Sequence, residues 1–163
     1  MQSEAEEIIA RLGLEPLPQE GGFFRPTWVS AARLADGRPA GSAIWFLLTP
    51  AQFSAWHRLR GEELWHFHAG DPVEHVQLNP ADRKLSLMIL GADLAAGQRP
   101  QLAVPAGAWQ GARLQAGAVR RGWALLSCTL APAWDEGEFP RGRRDELARE
   151  FPAAADWIAA LTR

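Results

Sequence analysis

The chain has 163 residues, with 17 lysines and arginines against 19 aspartates and glutamates, for a formal net charge of −2. That length suits one good core, and so small a charge excludes a chain built on electrostatics to hold nucleic acid or an anionic membrane surface. Hydrophobic residues at 47% and charged residues at 22% exclude the disordered and fibrous classes, and no apolar run approaches the roughly 20 residues that span a bilayer.

The first predicted element is a short helix over Ser3 to Leu12, because Ser3 and Glu6 have capping-box spacing and Ile8, Ile9 and Leu12 form an apolar stripe. Gly13 ends it. Glu4, Glu6 and Glu7 stand where an export signal places Lys or Arg, so a cytoplasmic location is expected. From Phe23 to Pro132 helical periodicity disappears, and short runs of β-branched, aromatic and leucine residues recur between Gly, Pro, Asn and Asp. Strands are expected near Phe23 to Val29, Ser42 to Leu48, Ser54 to Leu59, Glu63 to His68, Val73 to Leu78, Leu85 to Leu90, Gln101 to Val104, Ala108 to Leu114 and Trp123 to Leu130. Their spacing is that of sandwiches and barrels, so the class is all-β. Pro26 makes the first run an edge strand or an arm, and Asn79 to Arg83 reads as the turn of a hairpin. The tail, Arg143 to Leu161, returns to helix, divided at Pro152. Its Leu147, Phe151, Trp157, Ile158 and Leu161 would pack on the barrel. One domain over 1–163 is the simplest reading, with the barrel core at about 20–135.

Chemically suggestive residues lie mostly between His57 and Gln110. All four histidines, at 57, 66, 68 and 75, fall in the first part of that stretch, beside Glu62 and Glu63. Alternation puts His66 and His68 on one face with Leu64, and Glu63, Trp65 and Phe67 on the other. Either face can line the interior, and a bulge can mix them. With Glu63 inward, His57 joins it across the turn at Gly61, and the carboxylate would raise the imidazole pKa and make it a proton carrier near neutral pH. His75, one strand further on, is read as exposed. Cys128 rules out an internal disulfide, being the one cysteine, and reads as inert packing. The Arg120-Arg121 and Arg141 to Arg144 clusters read as solvated surface, since no aromatics interleave with them.

The spacing His57-x5-Glu63-x6-Gly70, with Pro105-Ala-Gly107-Ala-Trp-Gln110 later, resembles the two motifs of the cupin superfamily. There, two histidines, a glutamate and a histidine after Pro-x-Gly hold a metal. Here Leu59 stands at the second histidine and Gln110 at the last. A longer series is similar to a family of small one-domain cupins of unassigned function: Pro18-Gln-Glu-Gly-Gly-Phe-Phe-Arg25, Ile44-Trp-Phe-Leu-Leu-Thr49, Phe53-Ser-Ala-Trp-His-Arg58, Glu62-Glu-Leu-Trp-His-Phe-His-Ala-Gly-Asp71, Gln101-Leu-Ala-Val-Pro-Ala-Gly-Ala-Trp-Gln110 and Cys128-Thr-Leu-Ala-Pro-Ala-Trp-Asp135. The departures are His68, where that family often has tyrosine, and Ala133-Trp134, where it has Gly-Phe. The resemblance implies a double-stranded β-helix (jelly-roll) barrel with a short N-terminal helix and C-terminal helices, and a homodimer, for which the eight tryptophans are a second argument.

His57 and Glu63 are the candidate catalytic pair. His66, His68, Gln110, Trp109, Arg25, Gln101 and Glu20 are candidate ligand contacts for a small polar or anionic molecule. Arg25 offers a fork for carboxylate or phosphate or is an edge arginine with an acidic neighbour, and Glu20 sits in a Gly-Gly arm that could fold over the barrel mouth. Trp65, Trp109 and Trp123 read first as core, with Trp109 the best platform for a ring or sugar. No cofactor is expected; a divalent transition metal would fall to His57, Glu63 and Gln110, helped by His66 or His68. Three functions follow: a metal-independent isomerase or epimerase on a sugar-like or keto-acid substrate, by analogy with sugar-nucleotide epimerases of related barrel; a non-catalytic binding module or sensor; and a metal-dependent oxygenase or decarboxylase. Phosphate loops, Ser-His-Asp series and zinc-type cysteine pairs are absent from the sequence.

Overall fold

The alternation of apolar and turn residues becomes two antiparallel sheets that face each other. The computed structural model describes residues 3–135, 137 and 139–163. One sheet runs in the order β1 (Glu15–Pro16), β2 (Phe23–Val29), β3 (Ser42–Leu48), β10 (Ala124–Ala131), β5 (Glu62–Gly70), β8 (Gln101–Val104). The other runs β4 (Ser54–Arg58), β9 (Trp109–Leu114), β6 (Val73–Asn79), β7 (Lys84–Leu90). From β3 to β6, and again from β8 to β10, the chain crosses between sheets at every connection, which is jelly-roll topology. The exception is the β6–β7 hairpin, turned by the Asn79 to Arg83 link. Pro26 sits at a register shift of β2, beyond the two residues that β1 covers, so its missing N–H costs the sheet nothing.

Between the sheets, Phe46, Leu48, Trp65, Val73, Leu90, Leu102, Leu114, Leu126 and Cys128 form the apolar core. Each sheet also has a covered patch on its outer face. Helix α1 (Glu4–Leu12) begins in a capping box, with Ser3 and Glu6 each accepting the other's backbone N–H, and ends at Gly13 in the left-handed conformation. Its Ile8, Ile9 and Leu12 pack with Leu14 on Leu47 and Trp123 of the six-stranded side. The tail forms α2 (Arg144–Glu150), a 3₁₀ turn opened by Pro152, and α3 (Ala155–Ala160). It sets Leu147, Phe151, Ile158 and Leu161 against Trp56, Val76, Leu78 and Trp109 on the outer face of the four-stranded sheet. No helix among the described residues is long and apolar enough to cross a membrane.

Candidate functional site: a polar cluster at one end of the barrel

Register carries the polar residues inward together. His57, Gln110 and Gln77 are paired neighbours across β4, β9 and β6, and so are Ser54, Ala112 and His75. Neighbours in register share a face, so both rows point into the barrel, with the Ala112 methyl buried between Ser54 and His75. A register shift in β4 between Ser54 and His57 lets two residues three apart in sequence face the same way. From the opposite sheet β5 turns Glu63 and Trp65 inward, and its His66 and His68 outward. Glu20 arrives on the arm before β2. Its carbonyl accepts from Ala55 N–H at 2.9 Å, and Gly21, at φ 101°, runs so close to β4 that a Cβ there would lie 2.2 Å from the Phe53 carbonyl oxygen.

These side chains satisfy one another. Trp65 Nε1 and Gln110 Nε2 donate to one oxygen of Glu63, at 2.9 and 2.6 Å. Gln110 Oε1 accepts from His75 Nε2 at 3.1 Å, which fixes the His75 proton on Nε2 and leaves Nδ1 buried without a partner. His57 Nδ1 donates to the Ala55 carbonyl at 2.8 Å, so in the neutral ring Nε2 is the free lone pair. That Nε2 lies 3.8 Å from Glu20 Oε2. The other Glu20 oxygen accepts the Ser54 hydroxyl. Phe139 closes the set from above, its ring stacked on His57 at 5.1 Å and 21°.

Burial decides the charges here. It pushes Glu20 up to about 8 against the opposing Ser54 hydrogen bond, and holds His75 down at about 3. It raises Glu63 as well, with His57 opposing, and it lowers His57, with Glu63 opposing. The expectation that Glu63 lifts the His57 pKa is therefore corrected: desolvation of a closed site outweighs one carboxylate that burial itself drives toward the neutral form. Cys128 lies in the apolar core with its thiol held well above the usual range by the same burial.

Several expected contacts lie elsewhere. Arg25, Trp45, Ser127, His66 and Gln101 form one row across the outer face of the six-stranded sheet. There Gln101 Nε2 donates to His66 Nδ1 at 3.1 Å, His68 Nε2 bonds Ser127 Oγ at 2.8 Å, and Arg25 Nη1 donates to the Leu12 carbonyl at 2.8 Å, closing the end of α1. His66, His68, Gln101 and Arg25 are thus apart from His57 because their strand positions have outward parity. Trp109 also leaves the pocket. Its neighbour Gln110 faces in, so Trp109 faces the C-terminal helices, with the Arg58 guanidinium 4.7 Å above its ring. His75 corrects the opposite way, since the residue read as exposed is fully buried. Ser54 and Gln77, which nothing in the sequence singled out, complete the interior; Gln77 donates to the Ala103 carbonyl at 3.0 Å.

The donor set does not fit the metal that the cupin motifs imply. Leu59 has no ligand atom, Gln110 turns its N–H toward Glu63 and commits its oxygen to His75, and one Glu63 oxygen already receives two donors. Among the described residues no group of three or more His, Cys, Asp and Glu is arranged to hold a metal ion.

The model of the Cupin superfamily (DUF985) matches residues 6–140. A solved protein of Shewanella oneidensis is 32% identical, with a TM-score of 0.89 over 100% of this chain and 99% of its own. A hypothetical protein from Leishmania major is 30% identical, with a TM-score of 0.89 over 99% of each chain. Oxalate decarboxylase from Bacillus subtilis shares the fold alone, at 12% identity and a TM-score of 0.55 over 88% of this chain and 35% of that one. No curated protein matches. The chain belongs to the Cupin superfamily (DUF985).

Proposed function

We propose that this cupin is a metal-independent isomerase that moves a proton on a small sugar-like or keto-acid substrate, with His57 as base, Glu20 as acid and Glu63 setting the local field. One observation carries the reading: a neutral imidazole presents its Nε2 lone pair 3.8 Å from a carboxyl that burial keeps protonated near pH 7. A neutral base beside a protonated acid is the arrangement general acid–base catalysis needs. His57 Nε2 takes the proton from the carbon beside a carbonyl, the C–H electron pair becomes a C=C bond, and the carbonyl oxygen takes the Glu20 proton, giving an enediol where that carbon bears a hydroxyl, as in a sugar, and an enol where it does not. Reversal at the neighbouring carbon restores both groups. Standing 3.8 Å apart, the two groups meet one face of a substrate. This favours a proton shift between adjacent atoms over epimerisation, which requires groups on opposite faces.

The test is solvent deuterium incorporation into a panel of 2-oxo acids and aldoses, followed by proton NMR. Wild-type chain is expected to exchange the proton beside the carbonyl of at least one, and His57→Gln to slow that exchange about 10²-fold or more while still binding it. No exchange on any compound that binds, or equal exchange by His57→Gln, overturns the assignment.

The binding-module reading keeps one supporting observation: the open cavity lies beyond Phe139, so a ligand can be held without touching His57. Homodimerisation is likewise a proposal, supported by the uncharged row Trp28, Ala43, Thr129, Leu64 and Ala103 across the outer sheet face, where Trp28 is 50% exposed. A monomeric mass by light scattering overturns it.

A further inference from the structure

We infer that the cleft at the barrel mouth is a carboxylate-binding vestibule, in which Arg58 holds the anionic end of a small organic acid while the Phe139 ring forms the wall between that ligand and His57. It rests on the proposed function only for what happens beyond the wall. The cleft holds about 390 Å³ and is lined by Arg58, Leu59, Arg60, Gly107, Phe139 and Pro140, with Gly137 at its rim. That volume is in the range of small-molecule sites, and Arg58 brings a guanidinium to its wall.

Arg58 is built for this use. Its guanidinium lies over Trp109, 4.7 Å from the ring centroid, and among the described residues no acid pairs with it. Stacking orients a planar fork and leaves its N–H edge for a planar bidentate acceptor, which a carboxylate matches. Trp109 is itself fixed by packing among Trp56, Leu78 and the C-terminal helices. The platform is therefore rigid before ligand arrives, which lowers the ordering cost of binding.

Phe139 links the vestibule to the buried cluster, since its ring is stacked on His57 and also lines the cleft. The backbone after it is fastened to the free edge of β4. Pro140 carbonyl accepts from Arg58 N–H at 3.2 Å, His57 and Arg141 form a bridge, and Gly142 N–H donates to the Trp56 carbonyl at 2.7 Å. Gly142 has to be glycine for this approach, because a Cβ there would lie 2.7 Å from the Trp56 Cβ. With residues 140–142 held in this way, opening His57 to the cleft falls to the Phe139 side chain.

The experiment titrates the full chain by calorimetry with 2-oxoglutarate, glucose 6-phosphate and neutral glucose, and reads diethylpyrocarbonate modification of His57 by peptide mass. Binding of 2-oxoglutarate, weakened about tenfold or more by Arg58→Gln and less by Arg58→Lys, is expected from the loss of a charge-assisted pair. Phe139→Ala is expected to speed His57 modification, and Arg58→Gln to leave it unchanged. Failure of 2-oxoglutarate to bind, binding by Arg58→Gln at the wild-type level, a clear preference for the phosphate over the carboxylate, or an unchanged modification rate in Phe139→Ala overturns the inference. The same titration on His57→Gln keeps the two readings separate: retained carboxylate binding without proton exchange in wild type sinks the isomerase alone, and exchange that is indifferent to Arg58→Gln sinks the vestibule alone.

Discussion

The space between the two sheets has two ends with opposite chemistry, although the same strands supply both. At one end Leu48, Val73, Leu90, Leu114 and Leu126 meet carbon to carbon. At the other, Glu20, Ser54, His57, Glu63, His75, Gln77 and Gln110 fill an equally buried volume with polar atoms. The apolar end gains from every contact it makes. The polar end recovers desolvation only as long as each donor keeps its acceptor, and the unpartnered His75 Nδ1 shows that the recovery is incomplete. A fold that spends interior volume in this way relies on one end for stability and holds ready groups at the other.

The comparison breaks most visibly at the apolar end. Leu126 is fully buried, and Leu126→Ala should lose about 2–5 kcal/mol of unfolding free energy in urea titration. A loss below about 1 kcal/mol would show that the apolar end does not carry the fold. At the polar end, Gln110→Leu keeps the volume while removing the donor to Glu63 and the acceptor for His75. It should lose about 1–3 kcal/mol at neutral pH, read from urea titration.

Dependence on pH sharpens the contrast further. Glu20 has a folded value of about 8 against an ordinary 4.5, so the native state holds a proton that the unfolded chain has released, and stability falls as pH rises through that window. His75 has a folded value of about 3 against 6.5, so the unfolded chain binds a proton that the native state refuses, and stability falls as pH drops through that window. Each slope is about 1.4 kcal/mol per pH unit at full strength, and they oppose each other where the windows overlap. Relative to wild type, Glu20→Gln should remove the alkaline loss and His75→Gln the acid loss, read from unfolding curves at a series of pH values. Parallel curves for wild type and Glu20→Gln would contradict the buried-acid assignment. The smallest effect is expected outside the barrel, where His66→Ala breaks only an exposed bond to Gln101 and should stay within about 0.5 kcal/mol.

How much of this was legible in the sequence varies with how local its cause is. The ends of β2 and β3 fall where their apolar runs begin and end, at Phe23–Val29 and Ser42–Leu48, because pattern and turn residues are local. The two-residue β1 has no such signal, as its pairing is set by Phe23 and Phe24 across the arm. Within β5, alternation separates Glu63 from His66 and His68, while the choice of inward face waits on pairing with β10, itself interrupted by a bulge between Leu125 and Leu126. Parity also held an unused clue: Trp109 and Gln110 are adjacent, so they cannot share a face. His75 was hidden because a polar strand residue usually points to water, and only its pairing with Ala112, beside Gln110, places it inside.

The central claim is that the two histidines of the polar end are neutral and ordered by proton position, with His57 protonated on Nδ1 and His75 on Nε2. Long-range nitrogen–proton NMR correlation on uniformly ¹⁵N-labelled protein reads both tautomers and their titration. The account predicts two neutral rings of opposite tautomer at pH 7. An imidazolium at either position, or His57 carrying its proton on Nε2, would contradict it.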